Sequence, residues 1–126
     1  MERQDLTYQV IGAAVAVHSE LGPGLMESAY QRCLEYEMNK RGLTVHSEVK
    51  LPINYGGVEL QVGYRVDLIV ENQLIIEVKS VSSLHPIHQA QVITYLKLSG
   101  LTLGLLINFN EKRVTDGIKR IIHSGG

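Results

Sequence analysis

Asp67, Glu77 and Lys79 stand in the stretch GYRVDLIVENQLIIEVKS, residues 63–80, among neighbours that otherwise read as core. Side chains alternate along a strand, so Val66, Leu68 and Val70 are expected on one face and Asp67 and Ile69 on the other. In the following segment Leu74, Ile76 and Val78 form an apolar face, while Ile75, Glu77 and Lys79 point the opposite way. The two apolar faces coincide if the loop Glu71-Asn72-Gln73 pairs Val70 with Leu74, and Asp67 then lies opposite Glu77. Carboxylates so placed have β-carbons about 5 Å apart. They repel unless a cation joins them. Magnesium suits such a pair, since it takes hard oxygen ligands at about 2.0–2.1 Å and keeps water or substrate phosphate in its other positions. Lys79, on the face of Glu77, would direct a positive charge at whatever anion the metal binds. The alternative is a solvated, salt-bridging sheet face. Spacing alone does not choose between them.

The elements that must carry these groups follow from periodicity. Val10, Ile11, Ala14, Val17 and Leu21 recur at helical spacing from Asp5 to Leu21, and LGPGL ends that helix. A second helix is expected from about Met26 to Arg41, with Met26, Tyr30, Cys33, Leu34 and Met38 on its apolar side and Gly42 as its stop. From residue 44 to 79 the period changes, and three strands separated by Gly56-Gly57 and Glu71-Asn72-Gln73 predict an antiparallel meander. HPIHQAQVITYLKLSG then reads as a helix, and LTLGLLINF as a strand buried on both faces, which together predict a right-handed parallel crossover. The tail VTDGIKRIIH fits either an edge strand or a short helix. The expected fold class is therefore α/β (α+β), a mixed sheet with a three-stranded antiparallel meander, a β-α-β crossover and an N-terminal helical pair.

The whole chain sets bounds. Its 126 residues, 44% hydrophobic and 20% charged, predict one soluble globular domain over 1–126. Apolar runs are too short to span a bilayer and the first residues do not resemble a signal peptide, so a cytoplasmic location and no membrane partner are expected. Cys33 is assigned to the core. A net charge of -1 counts against a strongly basic nucleic-acid face. Lys112-Arg113 and Lys119-Arg120 are read as solvated surface.

Several stretches taken together resemble the PD-(D/E)XK nuclease superfamily and, within it, the small bacterial group called GxxExxY proteins. GLMESAY matches through Gly24, Glu27 and Tyr30, GYRVDLIV and IIEVKS through Asp67 and Glu77-Val78-Lys79, and QAQVITYLKLSG through Gln91 and Tyr95. Val66 replaces the proline of the superfamily's name, a departure that touches no metal ligand. The resemblance implies a restriction-endonuclease-like core and a divalent metal, magnesium or manganese, held by Asp67, Glu77 and the backbone carbonyl of Val78. It also implies Lys79 as catalytic base or charge stabiliser, and Glu27 as a further acid of the site. The residues themselves place Glu27 at the edge of the buried stripe, where it could equally favour the helix dipole.

His88, Gln91 and Tyr95 share one polar row of the third helix, while Val92, Leu96 and Ser99 can face the sheet. Gln91 and Tyr95 could bind a phosphate, orient Lys79, or only cover the polar face. His85, His88 and His18 are assigned to surface or loop roles, and Arg65 is expected to turn away from Asp67 into a sheet-surface ion pair rather than serve as a substrate clamp, unless a bulge turns it. The functional expectation is metal-assisted hydrolysis of phosphodiesters in nucleic acid, DNA or RNA. Its rival is a noncatalytic module that binds nucleic acid or a protein. A chain this small is expected to need a second copy or another protein to grip a duplex.

Overall fold

The computed structural model describes residues 2–124. Helix α1, Arg3–Leu21, buries Leu6, Val10, Ala13, Ala14 and Val17 and stops at Gly22, whose φ of 68° suits a residue without a β-carbon. Helix α2, Glu27–Lys40, buries Tyr30, Leu34 and Met38. Its N-cap is Met26, which is 69% exposed and so lies off the apolar stripe expected to include it. Cys33 is half-buried against the core.

Five strands follow in one sheet: β1 Val45–Tyr55, β2 Val58–Val70, β3 Leu74–Lys79, β4 Leu103–Asn108 and β5 Ile118–Ile122. Their spatial order is their chain order. β1, β2 and β3 form the antiparallel meander, and β3 and β4 are parallel, joined by helix α3, Pro86–Ser99. The tail contains both of its expected alternatives in succession, a 3-10 turn at Val114–Gly117 and then the antiparallel edge strand β5. This is a mixed α+β architecture of the restriction-endonuclease-like kind.

Apolar alternation decides the layers. Leu74, Ile76 and Val78 of β3, with Leu103, Leu105 and Ile107 of β4, pack against α1 and α2. Ile75 and Leu106 pack on the opposite face against Val92, Tyr95 and Leu96 of α3. β4 is buried throughout, as its continuous apolar run requires. Each such fully buried aliphatic side chain contributes roughly 1.5–3 kcal/mol. Gly104 lets α3 approach closely, since a β-carbon there would lie 2.7 Å from Val92 Cγ1.

The hairpin between β2 and β3 has the expected register, Val70 opposite Leu74. Its turn places Glu71 and Asn72 in the left-handed region, with φ of 54° and 53°. β2 is less regular on its other side. Leu51 faces Tyr64 but Ile53 faces Leu60, so β2 carries extra residues, and Gly63 among them has φ 86°. The expected sharing of one face by Val66, Leu68 and Val70 is corrected: Val66 packs with Ile69 and Ile75 on the α3 side, while Leu68 and Val70 pack on the helical pair. Strict alternation is lost where the strand is distorted.

Candidate active site

Asp67 stands where both ladders of β2 lapse. The β1 pairing passes from Ser47–Leu68 to Val49–Val66, skipping Glu48, which has φ 53°, and the β3 pairing stops at Leu68–Ile76. A non-glycine residue at positive φ is strained, and such strain persists where surrounding structure demands it. The freed backbone groups find side chains instead. Asp67 N–H donates to Glu77 Oε1 at 2.9 Å, and Asp67 C=O accepts from Gln31 Nε2 at 3.4 Å. Val78 N–H in turn donates to Asp67 Oδ2 at 2.8 Å.

The carboxylates thus meet, as the register predicts, but the solvated face offered as the alternative does not describe them. Glu77 is only 3% exposed. Burial first, and Asp67 second, push its carboxyl from 4.5 up to about 8. Asp67 is also raised, chiefly by burial, against the lowering pull of Val78 N–H and Lys79. Among the described residues no group donates a hydrogen bond to Asp67 Oδ1 or Glu77 Oε2. Two crowded carboxylates, each with one oxygen anchored and one left over, are a donor set that suits a hard divalent cation. Among the described residues no three His, Cys, Asp or Glu side chains converge on one point.

Around this pair lies a cleft of about 1020 Å³, lined by Asp67, Glu77 and Lys79 of β2 and β3, Gln91 and Tyr95 of α3, and residues of the β1–β2 ribbon. Lys79 is half-buried, and its carbonyl accepts from Phe109 N–H at 2.9 Å. Gln91 and Tyr95 share the cleft, and His88 lines an adjoining hollow with them; its Nδ1 accepts from His85 N–H at 3.0 Å and, with His85, caps α3. Tyr95 is buried rather than on a polar outer face, and burial together with Glu77 and Asp67 pushes its hydroxyl up to about 12. It therefore keeps its proton.

Glu27 reaches the site from the far helical layer. It is exposed at the first turn of α2, and its Oε2 accepts from Ser80 N–H at 3.3 Å, the residue after Lys79. Ser80 Oγ also donates to Leu25 C=O at 2.6 Å, so the α2 entrance is tied to the end of β3. Tyr30 is fully buried, stacks on Phe109 with ring centroids 4.6 Å apart, and bridges Gly22 C=O and Leu25 N–H through its hydroxyl. Gly24, at φ 100°, supplies the turn between them.

Two expectations need correction. His18 is not a surface residue: it is 9% exposed, and its Nε2 lies 2.8 Å from Glu111 C=O, where α1 packs on the loop after β4. Arg65 does pair with Glu48, at 4.0 Å, but it does not turn away: residues two apart on a strand share a face, and Arg65 and Asp67 line the same cleft. Lys112, Arg113, Lys119 and Arg120 are exposed, as expected.

Sequence reasoning missed Asn108. It is fully buried at the end of β4, where Oδ1 accepts from Val81 N–H and Nδ2 donates to Val81 C=O, both at 3.0 Å. It holds the chain just beyond Lys79. A lone amide in the apolar run LTLGLLINF was the signal available.

A family model described as the PD-(D/E)XK nuclease superfamily matches residues 4–121. Among solved structures, the crystal structure of SSO0001 is similar in fold, with a TM-score of 0.59 and 23% identity, over 98% of this chain and 63% of that one. The chain therefore spans less than two thirds of that structure's length. No curated protein matches it. No helix among the described residues is long and apolar enough to cross a membrane.

Proposed function

Because the chain belongs to the PD-(D/E)XK nuclease superfamily, we propose that it hydrolyses phosphodiester bonds of nucleic acid at the Asp67–Glu77–Lys79 cleft, as a member of the GxxExxY group. The observation that carries this reading is the reciprocal anchoring of the two carboxylates, which aims one spare oxygen from each into a cleft shared with an ammonium group. Asp67, Glu77 and the carbonyl of Val78 would hold magnesium or manganese. When bound, such a cation neutralises phosphate charge and lowers the pKa of a water.

The chain's own groups divide the remaining work. Lys79 stabilises charge on the phosphate as an ammonium or, as the neutral amine, takes a proton from the attacking water, and the Ser80 and Val81 anchors hold the chain just after it. Gln91 and the protonated Tyr95 can donate hydrogen bonds to a phosphate, or accept them from Lys79 through the Gln91 and Tyr95 oxygens. Glu27 acts through Ser80 and adds negative charge near the pair, since it raises both Asp67 and Glu77.

Manganese titration by calorimetry, run beside a panel of single-stranded, duplex and branched DNA and RNA, tests the reading. Wild-type protein should bind the ion and cut at least one substrate, and Asp67→Asn should do neither. Identical behaviour of the two proteins in both assays would hand the case to a noncatalytic binding module.

A further inference from the structure

We propose that the cleft between the β1–β2 ribbon and α3 receives a single strand of nucleic acid, held at its backbone by Lys50 and Arg65 and stacked through one base on Tyr64. This names the substrate class of the nuclease site and rests on that reading. Lys50 and Arg65 are direct cross-strand partners, and both line the cleft that contains Asp67, Glu77 and Lys79. Lys50 is exposed and makes no ion pair among the described residues. Arg65 has only the exposed 4.0 Å contact to Glu48, which a phosphate can replace at little cost.

The bulge at Gly63 matters for the third residue. In a regular strand only alternate residues would face the cleft, yet Gly63, Tyr64 and Arg65 line it in succession. Tyr64 is 38% exposed and stands between this cleft and a smaller hollow of about 400 Å³ bounded by Ile87, Gln91 and Thr94. Its contact with Tyr95 is T-shaped, with centroids 6.2 Å apart, so the two rings do not cover each other face to face. A half-exposed ring beside phosphate-binding groups is the arrangement on which unpaired bases stack.

Charge argues against a duplex. Apart from the Asp67–Glu77 pair that would hold the cation, the cleft offers only three cations, Lys50, Arg65 and Lys79, with Glu59 beside them. Other basic residues border separate hollows, among them Lys112 and Arg113 beside His18 and Pro23, and Arg3 and Arg120 beside Glu2 and Gln73. Duplex recognition draws on many phosphates over a broad basic face, whereas a short single strand needs few. In a duplex, moreover, the bases are stacked on one another and offer Tyr64 no face.

Fluorescence anisotropy of the full chain with labelled octathymidylate, octauridylate and a short DNA duplex, in calcium and in EDTA, tests this. A single strand should bind at least about tenfold tighter than the duplex, and Tyr64→Val should weaken it by roughly tenfold, as loss of one stacked base does. Tyr64→Val keeps a strand-forming residue, and Tyr64→Phe should stay within about twofold of wild type because it retains the ring. Lys50→Gln should make the slope of log affinity against log salt shallower by about 0.7. The ratio of the two single strands reports the preferred sugar. Equal or tighter duplex binding, or an unaltered Tyr64→Val, overturns the proposal. Manganese calorimetry on the same proteins separates the readings: Asp67-dependent ion binding without single-strand preference leaves the nuclease standing and removes this inference. Tyr64-dependent strand binding without ion binding does the reverse.

Discussion

Asp67 and Glu77 each hold the backbone of the other's strand, Glu77 Oε1 on Asp67 N–H at 2.9 Å and Asp67 Oδ2 on Val78 N–H at 2.8 Å. The pair thereby replaces the ladder bonds that end at Leu68–Ile76. Two repelling acids are fixed by the neutral groups they accept from, and only one oxygen of each is used.

That division predicts opposite effects on stability and on metal binding. Glu77→Gln keeps a carbonyl oxygen for Asp67 N–H and removes a buried charge, so at pH 9 the metal-free variant should be more stable than wild type by about 1–3 kcal/mol. Its manganese affinity should fall at least about a hundredfold. Glu77→Ala should instead be destabilised, because it leaves Asp67 N–H without its acceptor. Urea denaturation in EDTA and calorimetry read the two quantities; a Glu77→Gln protein less stable than wild type at pH 9 would contradict the repulsion.

The same burial sets a pH dependence. An acid whose folded pKa is raised keeps its proton in the folded state after the unfolded chain has lost it, so stability is lost as pH rises across that interval. For Glu77 the interval runs from 4.5 to about 8, and Asp67 shifts in the same direction. Metal-free protein should therefore lose stability between about pH 5 and pH 8, and magnesium should restore it at the upper end. A urea midpoint that is flat over this range in EDTA would refute the prediction.

Glu27 works at a distance, through Ser80. Being exposed, Glu27→Ala should cost less than about 1 kcal/mol of stability. Cleavage should nevertheless fall about tenfold through kcat, with partial recovery in Glu27→Gln, which keeps an acceptor for Ser80 N–H. Loss confined to KM would place Glu27 in substrate binding instead.

Tyr30 shares the motif of Glu27 but not its task. Tyr30→Phe retains the stack on Phe109 and strips the hydroxyl from Leu25 N–H and Gly22 C=O. It should cost about 1–3 kcal/mol, while manganese affinity changes less than about threefold. A variant with native stability but impaired ion binding would move Tyr30 into the site.

Asn108→Ala should cost about 1–3 kcal/mol, because Val81 N–H loses its acceptor and Val81 C=O keeps only the 3.3 Å bond from Asn110 Nδ2. Hydrogen exchange should show faster opening at residues 80–81 than in wild type. Unaltered exchange there would mean that the amide does not hold the chain beyond Lys79.

Much of the site was legible before any coordinates because its central geometry is local. Alternation plus an odd loop at Glu71–Gln73 was enough to align Val70 with Leu74 and bring Asp67 to Glu77, and the unbroken apolar run of β4 required cover on both faces. Period and turn chemistry act over a few residues, so they survive in the sequence as pattern. The tertiary structure alone decided what depends on layers meeting: Glu27 on Ser80, 53 residues apart, Asn108 on Val81, 27 apart, and His18 on Glu111, 93 apart. It also decided Val66 and Tyr64, whose directions follow from a strand distortion that alternation does not contain. The burial that lifts Glu77 belongs to the same class: its apolar neighbours mark a core strand, but only the packed structure leaves the carboxylate 3% exposed.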